Sequence, residues 1–346
     1  MRGAIKKLSV KGFKSIRELK DFELKDLNII IGANGVGKSN LVQVFRMLMA
    51  MSQKNLQKFI LERGGADNFL YNGPKITPSI NVKFEFQSHS MHSEGSNYYS
   101  FELTPNPDER FVINESSEYD LISNWMVYHF HDTSLTAPMR RSEIVEDNHK
   151  LRHDASNIAP FLLHLKNDPN WRKNYQEIVD AVRFVIPFFD DFRLEVQQLG
   201  EAQKVKLSWQ QKGSDFPMQP YHLSDGSIRF ICLATALLQP DPPSTLIIDE
   251  PELGLHPEAI SILAELIQDA AQRTQLIIAT QSPSLLNEFA VKDIVVVNRK
   301  GGQSTFERLS RDDYSSWLES YSVGELWTKN VIPGGTTHLT REPLCK

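Results

Sequence analysis

The segment Gly32-Ala33-Asn34-Gly35-Val36-Gly37-Lys38-Ser39 constrains this chain more than any other, because it is a complete G-x-x-x-x-G-K-S set between two different hydrophobic periods. Before it runs Leu27-Asn28-Ile29-Ile30-Ile31, a short aliphatic stretch of the kind that forms buried parallel strands. After it, Leu41, Val44, Phe45 and Leu48 fall on one face of a helix that opens at Lys38. Strand, glycine-rich loop and helix in that order make a phosphate cradle. The glycines let the backbone curl so that successive N–H groups point inward, and the helix N-terminus adds favourable potential for an anion. Gly32, Asn34, Gly35, Val36, Gly37 and Asn40 are expected around a nucleoside triphosphate. Lys38 is expected to reach its β and γ phosphates, and the Ser39 hydroxyl to ligate Mg²⁺.

A second element has the matching chemistry. Thr245-Leu246-Ile247-Ile248-Asp249-Glu250 reads as an aliphatic strand that delivers two adjacent carboxylates at its C-terminal end, where both can approach a nucleotide. Asp249 is expected to hold Mg²⁺ directly or through water, and Glu250 to polarise the attacking water as general base. Taken alone, such a pair is usually a helix N-cap or a solvated turn; the glycine loop upstream gives it its role.

The rest of the chain supplies the frame. Residues 8–22 read as a strand or hairpin, and Ile80, Val82, Phe84 and Phe86 alternate with polar residues, as do Tyr99, Phe101 and Leu103. That pattern predicts a half-exposed antiparallel meander, which Phe111-Val112-Ile113 extends. The stretch 134–187 opens with charged, loop-like sequence and then shows helical periods over 155–165 and 171–186, before strands over 192–199 and 205–209. A helix runs from Gly226 to about Leu238, where Pro240, Pro242 and Pro243 stop it. Strands 245–248 and 276–279 follow, separated by a helix opening at Pro257. Alternating strands and helices at both ends of the chain predict an α/β core split by an insertion. The expected division is a head formed by 1–133 and 216–332, an inserted lobe of helices and strands at 134–215, and a flexible tail at 333–346.

Leu223-Ser224-Asp225-Gly226-Ser227 opens a helix just before the acidic strand and resembles the ABC signature, whose usual form is L-S-G-G-Q. In that superfamily the serine hydroxyl and glycine N–H cap the γ-phosphate held by the other subunit, so Ser224 and Gly226 are implied in the site; a serine there is otherwise an ordinary N-cap. The opening Leu8-Ser9-Val10-Lys11-Gly12-Phe13-Lys14-Ser15-Ile16 looks like the N-terminal strand of RecF, SMC and OLD-type ATPases. Asp249-Glu250-Pro251-Glu252-Leu253-Gly254-Leu255-His256-Pro257 is similar to the D-loop of that group, and Ser224-Asp225-Gly226-Ser227-Ile228-Arg229-Phe230 to its small stand-alone bacterial members. Tyr128-His129-Phe130-His131-Asp132-Thr133-Ser134 carries the same likeness. The resemblance covers most of 1–330 and implies an ABC-type P-loop ATPase head with an antiparallel β subdomain and a helical insertion. It further implies ATP and Mg²⁺ as ligands, a homodimer with ATP sandwiched between two heads, and a nucleotide site that extends to Lys14 and His256.

Departures from the family pattern sharpen the reading. After the strand 276–279 the switch position normally carries histidine, whereas this chain has Thr280-Gln281-Ser282-Pro283. Gln281 can donate an amide hydrogen bond to a γ-phosphate but cannot take a proton. SMC proteins place hundreds of coiled-coil residues between the phosphate loop and the signature; here the gap is about 185 residues without sustained heptads. OLD nucleases append a Toprim domain, and Asp312-Asp313 does not make its motif. No nuclease is therefore expected within these residues, and the resemblance points to a separate effector, a nuclease or toxin, in bacterial phage defence.

Composition limits the rivals. A net charge of −5 gives no global basic footprint for nucleic acid, although a local groove would serve a RecF-like DNA-repair ATPase, the first rival reading. Two cysteines, Cys232 and Cys345, suit a reducing compartment, and with no membrane-length apolar run a cytoplasmic protein without a membrane partner is expected. A transporter head would lack the F-K-S-I opening; an ATP-locked scaffold would bind without hydrolysing. His129 and His131 share a strand face and are readable as a metal pair or as structural side chains. Arg140-Arg141 reads as a phosphate or partner contact or as a solvated basic turn, and Arg229 as a link from signature to nucleotide or as a surface salt bridge. The glutamine at the switch position predicts slow hydrolysis: steady-state phosphate release should stay below about 10 s⁻¹, the median for enzymes, and a turnover well above that contradicts it.

Overall fold

The computed structural model describes residues 3–87, 98–115 and 124–333, so the expected tail lies outside it apart from Pro333. The chain forms two compact units, one of residues 1–127, 243–250 and 274–346 and one of 128–242 and 251–273.

The first unit is built on the aliphatic run at its start. Leu27–Ile31 pairs parallel with Gln275–Ala279 on one side and with Ile294–Lys300 on the other, and Gln275–Ala279 pairs parallel with Thr245–Asp249. The six-stranded sheet is completed by the edge strands Gln303–Arg308 and Trp125–Tyr128. Every residue of Leu27–Ile31 and Gln275–Ala279 is buried, which is why both read as unbroken apolar stretches rather than alternating ones. Register matters more for function than strand count. Ile30 stands opposite Ala279 and Ala279 opposite Asp249, so the phosphate loop, the acidic pair and Thr280-Gln281 leave the sheet at one edge. The hairpin of Ile294–Lys300 and Gln303–Arg308, joined through Gly301 and Gly302, carries no motif and was not anticipated.

The expected meander is a five-stranded antiparallel sheet in the order Ile16–Glu23, Ile5–Phe13, Ile80–Phe86, Tyr98–Pro105, Phe111–Glu115. Its inward set Leu8, Val10, Val82, Phe84, Tyr99 and Phe101 packs in one core with Leu41, Phe45 and Leu48 of the helix Lys38–Ser52. Trp125 seals this core with its ring 4.9 Å from Phe84 and 5.9 Å from Phe45. One side chain stitches the sheets together. Gln275 is fully buried; its Nε2 donates to the carbonyls of Ile5 (2.8 Å) and Lys25 (3.1 Å), and its Oε1 accepts from Ile5 N–H (2.9 Å) and the Thr245 hydroxyl (3.2 Å).

The second unit holds the helices Ile158–Asn167, Arg172–Val185, Asp225–Leu238 and Pro257–Ala270 with two three-stranded sheets. The first of these helices begins three residues later than its apolar period suggests. Ala155 has φ +54°, and the buried Asn157 side chain holds the Asp147 and Lys150 carbonyls and the Arg152 N–H, so the chain is still a loop there. The strands read as 192–199 and 205–209 are four shorter pieces, Phe189–Phe192, Gln197–Leu199, Ala202–Val205 and Trp209–Gln211. No helix among the described residues is long and apolar enough to cross a membrane.

Replacing Gln275 by Leu should leave the Ile5 N–H and carbonyl without buried partners and lower the stability of the chain by about 2–4 kcal/mol, at the upper end of the usual cost of such groups. The urea midpoint reads this directly, and an unchanged midpoint would remove Gln275 as the stitch.

Candidate functional site

In the first unit the phosphate loop is locked from below. The left-handed Gly37 (φ +115°) sits so close to its support that a Cβ there would lie 2.1 Å from Ser304 Oγ and 2.6 Å from Ser15 Oγ. Those two hydroxyls are 2.6 Å apart; Ser304 donates its hydroxyl to the Val36 carbonyl and its N–H to the Ser15 carbonyl (2.7 Å), and the Asn40 amide donates to Ser15 Oγ (2.6 Å). These bonds set the shape of the loop, with Asn34, Gly35 and Ser39 exposed. Lys38 is buried and donates to the Gly32 and Ala33 carbonyls at 2.6 and 3.1 Å, which holds its ammonium inside the loop.

Ser15 and Ser304 are supports that motif reading did not name. Lys14, one residue before, takes a left-handed turn (φ +49°), donates its N–H to the Phe69 carbonyl (2.8 Å) and lays its ammonium 4.7 Å over the Phe69 ring. Burial, with a smaller push from Arg63, lowers the Lys14 pKa. Ser15, the next residue, carries the contacts from the opening strand to the loop.

The carboxylates follow at the same sheet edge. Glu250 adopts φ +47°, a left-handed conformation that costs a non-glycine residue about 1–3 kcal/mol, and its N–H donates to the Ala279 carbonyl at 2.7 Å. The Gln281 amide donates to Glu250 Oε1 at 2.6 Å, bringing the two expected catalytic side chains together. Arg46, on the helix that follows the loop, approaches Asp249 Oδ2 at 3.7 Å. Burial lowers the Arg46 pKa despite that carboxylate. Ser39 and Asp249 are the oxygen donors that could hold Mg²⁺; the hydroxyl and carboxylate are hard ligands, and Mg²⁺ commonly takes one or two protein groups with phosphates and water. No cluster of three or more His, Cys, Asp or Glu side chains competes for a metal among the described residues.

In the second unit Ser224 is the N-cap of Asp225–Leu238, its Oγ accepting from Ser227 N–H at 3.1 Å. Gly226 lies under the D-loop, where a Cβ would meet the Gly254 carbonyl at 2.4 Å. Two buried arginines fix this arrangement, and neither is the solvated turn nor the surface salt bridge that the sequence allowed. Arg229 donates to the carbonyls of Phe130 (3.0 Å), His131 (3.1 Å) and Leu253. Arg140 donates to the carbonyls of Thr133 (3.0 Å), Leu223 (3.2 Å) and Pro220 and pairs with Asp225 at 3.1 Å. Arg141 bonds the Thr136 carbonyl at 2.8 Å. His129 and His131 stack, with centroids 4.3 Å apart. His256 is the exposed N-cap of Pro257–Ala270, its Nδ1 accepting from Glu258 N–H at 3.4 Å.

A parallel sheet with a braced phosphate loop, an acidic strand end and a capped signature-like helix defines an ATPase of the SMC- and ABC-like head type. Residues 27–287 match the family described as "AAA domain, putative AbiEii toxin, Type IV TA system", and the chain belongs to that family. Shorter stretches are similar to two curated proteins. The match is 34% identical over 89 residues with structural maintenance of chromosomes protein 3 of Saccharomyces cerevisiae, spanning 25% of this chain and 7% of that protein. It is 31% identical over 125 residues with chromosome partition protein Smc of Myxococcus xanthus, spanning 32% and 10%. The chain thus corresponds to a tenth or less of those relatives. Its fold is similar to an SmcHead bound to the C-winged helix domain of ScpA, with TM-score 0.63 and 16% identity over 90% of this chain and 99% of that one. It is also similar to the Smc head with an extended coiled coil from Pyrococcus furiosus, bound to the C-terminal domain of ScpA, with TM-score 0.60 and 15% identity over 91% and 98%.

A Cβ at Gly226 cannot fit without moving the D-loop. Gly226→Ala is expected to lower ATP turnover at least about tenfold while the affinity of the chain for a fluorescent ATP analogue stays within about twofold; loss of both would mean that the phosphate loop depends on this contact.

Proposed function

We propose that this chain is a slow ATPase that dimerises on ATP and uses the dimer to regulate a separate effector. The reading rests on the Gln281 amide held 2.6 Å from Glu250. That pairing supplies a carboxylate base and a neutral donor, and no second proton acceptor at the switch position. Water attacking the γ-phosphorus gives its proton to Glu250, the bond to the β-phosphate oxygen breaks, and ADP and phosphate leave. Gln281 positions Glu250 and donates toward the γ-phosphate; Lys38 neutralises charge on the β and γ oxygens. Ser39 and Asp249 would hold Mg²⁺, which when bound would supply charge neutralisation on the phosphate oxygens. A site with this limited proton chemistry suits a clamp that closes on ATP and opens slowly.

Two features support a composite site. The signature serine is exposed at the start of a rigidly braced helix, and a serine hydroxyl with a helix N-terminus suits capping of a second protomer's γ-phosphate. A monomer with its own phosphate loop and an outward signature is the unit such a homodimer needs. Solved Smc heads bound to ScpA support a protein partner over nucleic acid alone, and the family's description as a domain of a toxin–antitoxin system fits a defence role; a nuclease or toxin as that partner is part of the proposal. Residues 134–215 would then act as the inserted lobe on the head, and the cytoplasm as its compartment. An ATP-locked scaffold is the second reading, and the same glutamine favours it.

Glu250→Gln separates the two. It should bind Mg-ATP, sediment as a dimer and lose at least about 100-fold in turnover, because positioning survives while base catalysis does not. Unchanged turnover would remove Glu250 as the base, and a wild type that binds ATP without releasing phosphate would leave the scaffold.

A further inference from the structure

A groove of about 610 Å³ runs between the helices Arg172–Val185 and Pro257–Ala270 of the second unit. Its floor is apolar: Ala181 and Phe184 from one helix, Ile262 and Leu266 from the other, and Leu238 from the end of the signature helix. Phe184 is 75% exposed, and Phe188, just past the helix, is 52% exposed. The buried residues of that helix are Tyr175, Ile178, Val179, Ala181 and Val182, and Phe184 stands one turn beyond Ala181 on the groove side, past the edge of that stripe. A phenylalanine placed there leaves about 1.5–3 kcal/mol of burial unclaimed by the fold.

Charge selects the occupant. On the first helix Glu177 is answered by Lys173 (3.5 Å) and Asp180 by Arg183 (3.0 Å). Across the groove Glu265 and Asp269 stand one turn apart and make no ion pair among the described residues. Arg273, at the end of the groove, is turned inward, donating to the carbonyls of Leu237 (2.8 Å) and Gln239 (3.0 Å). The rim therefore keeps a negative balance around an apolar floor. A second copy of the same face would bring Glu265 and Asp269 against their own kind, and an anionic lipid surface would be repelled.

We infer that this groove docks an amphipathic helix of a separate protein, with an apolar face over Phe184 and Lys or Arg residues against Glu265 and Asp269. The position gives the docking a consequence. Its wall on one side is the helix that opens at Pro257, and Leu238, the last residue of the helix that opens at Asp225, closes it, so an occupant touches both elements that carry those motifs. This deepens the partner reading above, and its test runs without nucleotide, so that its failure leaves the ATP clamp standing.

The probe is a fluorescein-labelled amphipathic Leu/Lys helix, titrated with the full-length chain and followed by anisotropy, beside a Leu/Glu helix of the same length. The Leu/Lys helix should bind in the micromolar range and the Leu/Glu helix at least about tenfold more weakly. Phe184→Ser should cost about tenfold in affinity with an unchanged melting temperature, as its exposure requires. Glu265→Lys combined with Asp269→Lys should cost at least as much and flatten the salt dependence. The inference is overturned if the wild type does not bind the Leu/Lys helix, if Phe184→Ser binds it as tightly as wild type, or if both probes bind alike. It is equally overturned if sedimentation without nucleotide shows a dimer that Phe184→Ser dissolves, which would make the occupant a second copy.

Discussion

Parallel pairing of Gln275–Ala279 with Leu27–Ile31 on one side and Thr245–Asp249 on the other is the constraint on which the nucleotide chemistry depends. The row Ile30, Ala279, Asp249 brings three chain exits level, and backbone bonds then carry the pattern past the sheet: Thr280 N–H to the Ile30 carbonyl (3.0 Å) and Glu250 N–H to the Ala279 carbonyl (2.7 Å). A slip of one residue would turn every side chain of a strand to the other face and draw Glu250 away from Gln281. The buried Gln275 and the row of aliphatic side chains hold that register at little local strain. At the sheet edge itself the backbone turns left-handed at Glu250.

The second unit solves a different problem, which is to present a helix start that is exposed yet fixed. Its means is a pair of buried arginines whose donors are spread over backbone carbonyls. Carbonyls do not titrate, and charge-assisted bonds to them are stronger than neutral ones, so the signature helix, D-loop and 130–133 strand end are held as one piece over a wide pH range. Burial lowers the Arg229 pKa, but from a starting point so high that the group stays charged. The same construction explains two glycines: a Cβ at Gly226 would meet the Gly254 carbonyl, and Gly254 turns left-handed (φ +75°) against the Arg229 guanidinium.

Much of this was legible in sequence because chemistry demands fixed local spacing. A phosphate loop, an acidic strand end and a signature each occupy a few consecutive residues, and Ile80, Val82, Phe84 and Phe86 announce their sheet by alternation. What stayed hidden depends on partners far away along the chain. Ser304 supports a loop more than 260 residues before it; Arg140 and Arg229 each admit two readings from sequence, because nothing local reveals the carbonyls that bury them. Ser15 was not singled out beside Lys14, since only the left-handed turn at Lys14 brings the Ser15 hydroxyl to Asn40 and Ser304. Phe184 fits any helical pattern, and its exposure emerges only when its neighbours are in place.

The central claim is that one chain's phosphate loop works with another chain's signature. Mixing two variants tests it directly, Lys38→Ala without a working loop and Ser224→Arg without a working signature. Each alone should release little phosphate, and the mixture should recover activity, because one composite site in every mixed dimer joins the intact Lys38 of one chain to the intact Ser224 of the other. A mixture as inactive as its components would contradict the account, as would a Ser224→Arg protein that hydrolyses ATP normally on its own.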